Sequence, residues 1–470
     1  MPSKTLLNNK AQLNNFSLGL MLGTCIFSKL SRWYQKIPVP LLFYFTIIRI
    51  MHKNTGLFYF ALCFITCLCW ETMLVAQTQD TLPNNLKLDN SLLFETSETQ
   101  KQDAVDVIDF IKKITKIQSK SRNEQGKVHL SAFPAVGYSL LTGFAGLVDA
   151  NVVFKSKKPQ DNDKVSFLYS SLAYTEYKQI IFPLRASIWL GHGKYNLQSD
   201  WRFVKYPSET FGLGGHTHLI DGYAIDFDYI KFHQTVVTKV SKNLYAGLGY
   251  YLDYIWKTDE VGTPSKNPSD FQVYGLNKTA TASGFVFQLL QDSRKNPINP
   301  DNGWYSKMVL RPNLSFLGAG TNWTSVQLEF RKYFRFPGKY HNVLAFWNYN
   351  WFMLGKGKAP YLLLPSTGWD DNFNTGRGYI QGRFRGNSMV YLEGEYRFRI
   401  TPKGFLGGVV FANAQSFSQT PEHQFEVLAP AFGLGLRIKL NKFSGANLCI
   451  DYGIGLQGSN GISVNIGEIF

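Results

Sequence analysis

The sequence predicts an all-β chain: a transmembrane antiparallel β-barrel of about 16 strands with a short N-terminal amphipathic helix. Three observations carry that expectation. Only 17% of the 470 residues are charged while 15% are aromatic, against roughly a quarter charged in soluble domains, so little of the surface is built for water. Beyond the N-terminal region no apolar run reaches the roughly 18 residues that a membrane helix requires. Over residues 128–470 polarity alternates with a period of two, as it does in strands with one apolar and one polar face.

The elements follow in chain order. Residues 1–50 carry six Lys or Arg and no acid and are expected to be a non-native extension ahead of an initiator at Met51. The alternative is an N-terminal membrane anchor, although the apolar stretch 39–48 is too short to span a bilayer alone. Met51-His52-Lys53, an apolar core over residues 56–70 and the exit Leu74-Val75-Ala76-Gln77 describe a secretory signal peptide over 51–77. Export to a bacterial outer membrane is the expected localisation. Four of the five cysteines (Cys25, Cys63, Cys67, Cys69) precede that exit, so Cys449 alone would remain and no intramolecular disulfide could form. Thr66 and Leu68 are not the small residues that lipid attachment at Cys67 or Cys69 favours.

Residues 78–127 read as a periplasmic lead-in. Within it, 103–120 has helical period: Ala104, Val105, Val107, Ile108, Ile111 and Ile114 share one face, and Asp106, Asp109, Lys112, Lys113 and Lys116 the other. Acids come first and lysines last, matching the helix dipole. Such a helix either packs on its own protein or lies on the inner leaflet or in the barrel mouth.

The barrel is expected over 128–470. In 390–400, Val390, Leu392, Tyr396, Phe398 and Ile400 should face outward and Glu393, Glu395, Arg397 and Arg399 inward. Residues 324–334, 431–440 and 447–456 repeat the pattern, the last two with Arg437, Lys439 and Asp451 inward. Charges in mid-strand suit a watery or hydrogen-bonded lumen inside an apolar band. The 343 residues from 128 to 470 accommodate about 16 strands at roughly 21 residues each with connections. Trp304, Tyr305, Trp323, Trp347 and Trp351 are expected at the interfacial girdle or facing lipid.

The C-terminal half resembles the Omp85 superfamily of outer-membrane assembly and translocation barrels, of the BamA, TamA and surface-antigen D15 type. Gly376-Arg377-Gly378-Tyr379 resembles the family's lumen-loop motif, Gly386-Asn387 follows it, and Phe411-Ala412-Asn413 stands where the family has F-x-D. Asp292-Ser293-Arg294 with Pro300 and Gly303 resembles an earlier hairpin, and Asn465-Ile466-Gly467 with Phe470 resembles the last strand and its aromatic insertion signal. The resemblance implies that Arg377, Gly378 and Tyr379 sit on a loop folded into the lumen. Physically, two glycines let the chain turn tightly around Arg377, and a guanidinium fork in a barrel needs a carboxylate. Glu395 is the candidate partner, with Asn413 as a neutral second. About 50 residues precede the barrel, too few for a POTRA domain, so the chain resembles a short, POTRA-less form.

Competing chemistry is weaker. Gly453-Ile454-Gly455-Leu456-Gln457-Gly458 matches G-x-G-x-x-G, but a turn rather than a helix follows, which removes the dinucleotide reading. His216 and His218 with His233 or Asp221 lack a defined metal-ligand set. No G-x-S-x-G nucleophile is present, so a barrel-rim hydrolase is the third choice and no enzyme, metal or cofactor is expected. The positive balance after the exit, 42 basic against 32 acidic residues, is scattered, which speaks against nucleic acid. The resemblance implies insertion or translocation of proteins, or of lipids, with unfolded outer-membrane proteins as clients, membrane lipid as surroundings and the barrel assembly machinery needed for the chain's own insertion. The alternative is a passive pore or structural barrel.

Overall fold

The computed structural model describes residues 105–470 apart from 108, 110–127, 140–141, 155–163, 165, 263, 265–266, 276–277, 337–341, 419–423 and 443–444, and of the first strand it describes the backbone. The extension at 1–50, the signal peptide at 51–77 and most of the helix expected at 103–120 lie outside those residues.

The described chain is a succession of antiparallel hairpins. Its strands are β1 (Val128–Ser139), β2 (Gly143–Phe154), β3 (Ser166–Thr175), β4 (Ile180–Leu190), β5 (Tyr195–Lys205), β6 (Ser208–Thr210), β7 (Tyr223–Ser241), β8 (Leu244–Val261), β9 (Ala280–Asp292), β10 (Gly303–Asn313), β11 (Trp323–Arg335), β12 (Val343–Leu354), β13 (Ser388–Arg399), β14 (Leu406–Ser418), β15 (Phe425–Lys439), β16 (Asn447–Ile454) and β17 (Asn460–Ile466). β5 and the three-residue β6 both pair with β7, so 17 strands fill 16 positions. Pro207 separates them, since it offers no N–H to the ladder. An even number of positions leaves the start of β1 and the end of β17 at the same end of the barrel, and the 355–387 connection springs from the opposite one.

The barrel is polar inside and apolar outside. Phe432 and Leu434 on β15 are 62% and 63% exposed, whereas Glu393 and Glu395 on β13 are fully buried. A soluble sandwich would bury the first pair and expose the second; the inversion is what lipid outside and a polar lumen inside require. β11, β13, β15 and β16 present the inward and outward faces that alternation predicts. The aromatic residues divide differently. Trp304 packs on Phe330 in the outward register, but on the lumen side Trp323 and Trp347 are buried and Tyr305 is half-buried, with Arg294 and Arg331 flanking Tyr305 and Arg311 approaching Trp323. Strand parity, not residue type, decides which rings see lipid.

Backbone ladders join each barrel position to the next from β1 to β17. Among the described residues none joins β17 back to β1, although the two strands run side by side with Cα atoms within 8 Å. The sheet is therefore not zipped closed. β16 and β17, with eight and seven residues, are the shortest strands here apart from β6.

At the end where β1 begins and β17 stops, Val105 donates its N–H to the Lys403 carbonyl at 3.2 Å. Asp106 and Asp109 accept each other's backbone N–H at 2.9 and 3.4 Å, the reciprocal arrangement of a capped helix start. Lys442 meets both, through its backbone N–H to Asp106 and its ammonium to Asp109 at 2.8 Å. At the other end, the short helix α1 (Asp270–Gly275) joins two neighbouring connections: Asp270 accepts the Leu213 N–H, and the Tyr274 hydroxyl donates to the Ala359 carbonyl.

Leu434 lies mid-strand on the outward face, so Leu434→Lys should lower folding stability in lipid by about 2–4 kcal/mol. Denaturant titration of folding into liposomes measures this, and an unchanged midpoint would place that face away from lipid.

Candidate functional site

The 355–387 connection folds back into the lumen, and its own chemistry shapes it. The Asp370 carboxylate accepts backbone N–H groups from Asn372, Asn374 and Thr375 at 3.0, 2.9 and 2.7 Å, which curls the chain just before Arg377. Burial pushes the Asp370 pKa up, opposed by the hydrogen bonds from Thr375 and Asn372. Gly376 and Gly378 flank the arginine with φ of +79° and +98°, the left-handed region that a side chain resists.

The wall opposite is cut to receive this turn. A Cβ on Gly453 would stand 2.8 Å from the Gly378 Cα, and one on Gly455 would enter the Tyr379 ring at 2.6 Å. The glycine run that imitates a dinucleotide fingerprint is thus the groove in β16 and its following turn against which Gly378 and Tyr379 lie. Tyr379 completes the seat by donating its hydroxyl to the Pro430 carbonyl at 2.6 Å and accepting the Leu456 N–H at 3.0 Å.

Arg377 then reaches three carboxylates from two strands. Its Nη1 donates to Asp451 Oδ2 at 2.9 Å, its Nη2 to Glu395 Oε2 at 2.6 Å and also to Glu393. The guanidinium lies 3.8 Å above the Phe411 ring. Burial opposes the charge, but Glu393, Glu395 and Asp451 outweigh it and raise the Arg377 pKa above its ordinary value. Asn413 touches the loop differently from the expected guanidinium contact: its amide donates to the Arg377 carbonyl at 3.0 Å. Glu393 and Asp451 were legible as inward-facing, but pairing them with Arg377 needs the third dimension.

The network continues into the end of the chain. Glu395 also pairs with Arg397, and Asp451 with Arg437 at 2.5 Å. Arg437 and Arg397 both face Glu468, at 2.9 and 3.8 Å. The last strand, expected to run to Phe470, stops at Ile466. Gly467, with φ of +92°, turns residues 468–470 into the lumen, where the Phe470 ring stacks on Trp347 with centroids 5.2 Å apart. Arg397 donates to the Phe470 carbonyl at 3.0 Å, and Asn374 of the loop donates to the Ile469 carbonyl at 2.8 Å. Loop and tail are therefore parts of one bonded unit. The lumen seat of Phe470 differs from the outward position that an aromatic at the end of a membrane strand would occupy, because the wall offers buried guanidiniums and an indole face.

His216 and His218 stay exposed in the 211–222 connection, while His233 bonds Asp253 at 3.1 Å and stacks on Tyr251. Among the described residues no three metal-binding side chains gather.

A family model, the Omp85 superfamily domain, matches residues 185–470, more than half of the sequence and the whole of this loop-and-wall unit. The chain belongs to the Omp85 superfamily. A search of curated proteins returned no match. Among solved structures, BamA from Haemophilus ducreyi lacking POTRA domains 1–3 aligns at 13% identity over 74% of this chain and 74% of that one, with a TM-score of 0.50. CdiB from Acinetobacter baumannii aligns at 13% identity over 73% of this chain and 60% of that one, with a TM-score of 0.46. As a member of the Omp85 superfamily with this barrel, the protein is of the bacterial outer-membrane type.

Arg377→Ala would leave three buried carboxylates without their shared cation, and loss of one partner from such a pair costs about 3–5 kcal/mol. The thermal midpoint and the heat-modified gel mobility should fall accordingly, with Arg377→Lys in between because an ammonium cannot form the fork; unchanged values would remove the lock. Gly453→Val should expel the Gly378 turn and expose 366–381 to protease while the barrel stays folded. The Glu468 pKa is lowered by Arg397 and Arg437 against the upward push of burial. Its contribution is complete above the unfolded value of about 4.3 and should be lost as pH falls below that through the depressed one. Glu468→Gln should abolish that part of the acid dependence in a melting series.

Proposed function

We propose that this Omp85 barrel assists insertion or translocation of proteins, and of lipids as the variant reading, at the outer membrane. The observation that carries the reading is the β1–β17 seam: two strand edges side by side with no described ladder between them, in a sheet paired everywhere else. An unpaired edge offers a row of N–H and C=O groups to an incoming strand, and shortness of β16 and β17 makes the seam cheap to open. The Arg377 loop and the 467–470 tail would brace the wall next to the seam, so that opening need not collapse the barrel. Export by the 51–77 signal peptide and a periplasmic place for the 78–127 lead-in belong to this proposal. An unfolded outer-membrane barrel would be the client, with Arg377, Gly378 and Tyr379 as the lumen-loop motif that stabilises the barrel from inside, Glu395 and Asn413 as the partners of that loop, and Phe470 as the insertion signal and part of the internal brace.

The runner-up is a passive barrel, favoured by the abundance of charged groups on the lumen wall. Folding of a small unfolded barrel into liposomes, with this protein or an unrelated barrel present, separates the two. Acceleration specific to this protein is the expected result. No acceleration, together with a steady conductance that rises in Arg377→Ala, would sink the proposal in favour of a pore.

A further inference from the structure

A second cluster of charges stands on the wall formed by β5, β7 and β10, apart from the carboxylates that hold Arg377. Lys307 of β10 donates to Asp371 Oδ2 at 2.6 Å, and Lys231 of β7 lies 3.6 Å from Oδ1. Arg202 of β5 donates to the main-chain carbonyl of the same Asp371 at 2.6 Å, and its guanidinium lies 4.7 Å over the Phe373 ring. Asp200 is the wall's own acid: it takes Arg202 through two bonds of 2.7 Å and Lys231 at 2.8 Å. Arg202, Lys231 and Lys307 thus share Asp200 of the wall with Asp371 of the loop, while Arg185 also acts on both acids and Glu329 on Lys307. Without Asp371, Lys307 loses the carboxylate it is bonded to and the patch gains one positive charge. The Asp371 side chain is 43% exposed, so the seat opens onto lumen space instead of being sealed in the wall.

What the wall recognises is more specific than a negative charge. It holds a side-chain carboxylate, the main-chain carbonyl of the same residue and an aromatic ring two residues further on, in Asp371-Asn372-Phe373. An inorganic anion can satisfy only the first of these. We propose that Arg202, Lys231 and Lys307 form a binding site for an acidic peptide segment followed by an aromatic residue, with the loop's own Asp371-Asn372-Phe373 as its resident occupant. This rests on the translocation or insertion reading for its biological use, since a client segment would take the seat when the loop leaves, but its test does not involve client folding. Asp371→Ala keeps the Arg377 anchor and removes the resident carboxylate that Lys307 and Lys231 hold, while the 371 carbonyl and the Phe373 ring stay on Arg202.

The experiment is fluorescence anisotropy of a labelled peptide, Trp-Asp-Asp-Asn-Phe-Asn, on the full chain folded in detergent at fixed low salt. Asp371→Ala should bind at least ten-fold more tightly than the unaltered protein. Adding Lys307→Gln should abolish the gain, and a peptide with both Asp replaced by Asn should not bind. If Asp371→Ala fails to show the heat-modified mobility of a folded barrel, Asp371→Asn takes its place. Equal binding with and without the Asp371 substitution, or a gain indifferent to Lys307, overturns the proposal. Stabilisation of Asp371→Ala by pyrophosphate with no gain for the peptide would also overturn it, leaving a simple anion patch. Because assisted folding is a separate assay, failure here and failure of the insertion reading remain distinguishable.

Discussion

One buried guanidinium organises this lumen. Arg377 stands between Glu393, Glu395 and Asp451, and neither side of that contact could be tolerated alone. Adjacent inward carboxylates on β13 repel each other and lose hydration when the loop covers them. The arginine, carried on a glycine-flanked turn, would be equally costly without them. Each makes the other affordable, so the loop is drawn in and the wall glycines that receive it are required by the same contact.

From that centre the order spreads in two directions. Through Asp451 and Glu395 it reaches Arg437 and Arg397, then Glu468 and Phe470, tying the tail beyond the last strand to the loop. Through the loop itself it reaches Asp371 on the far wall, six residues before Arg377. The loop therefore carries its negative residue to a basic wall and its positive residue to an acidic one. Such a strut braces the lumen from inside, whereas among the described residues no backbone ladder joins β17 to β1.

Much of this was legible in the residues. Period-two alternation separates Glu393, Glu395, Arg397, Arg437 and Asp451 from Leu392, Phe432 and Leu434, since in a strand every second side chain faces the same way, and the expected export, the aromatic content and the charges in mid-strand give the first set to the lumen and the second to lipid. Glycines on both sides of Arg377 announce a tight turn with a charge that must find a partner. Alternation did not place the aromatics when residue type was allowed to override it, as Trp347 and Tyr305 show.

Sequence alone determined the fold class, the approximate number of strands and the inward charges, because these follow from local periodicity and from the cost of burying charge, and the resemblance to the family pointed to Arg377 as the centre of a lumen loop. Tertiary structure decided which charges meet. Asp371 with Lys307 and Lys231, Gly453 with Gly378, Asn374 with Ile469, and Phe470 with Trp347 join residues tens to more than a hundred positions apart. Such contacts depend on how β-strands wrap around a lumen, and no local pattern in the chain encodes that distance.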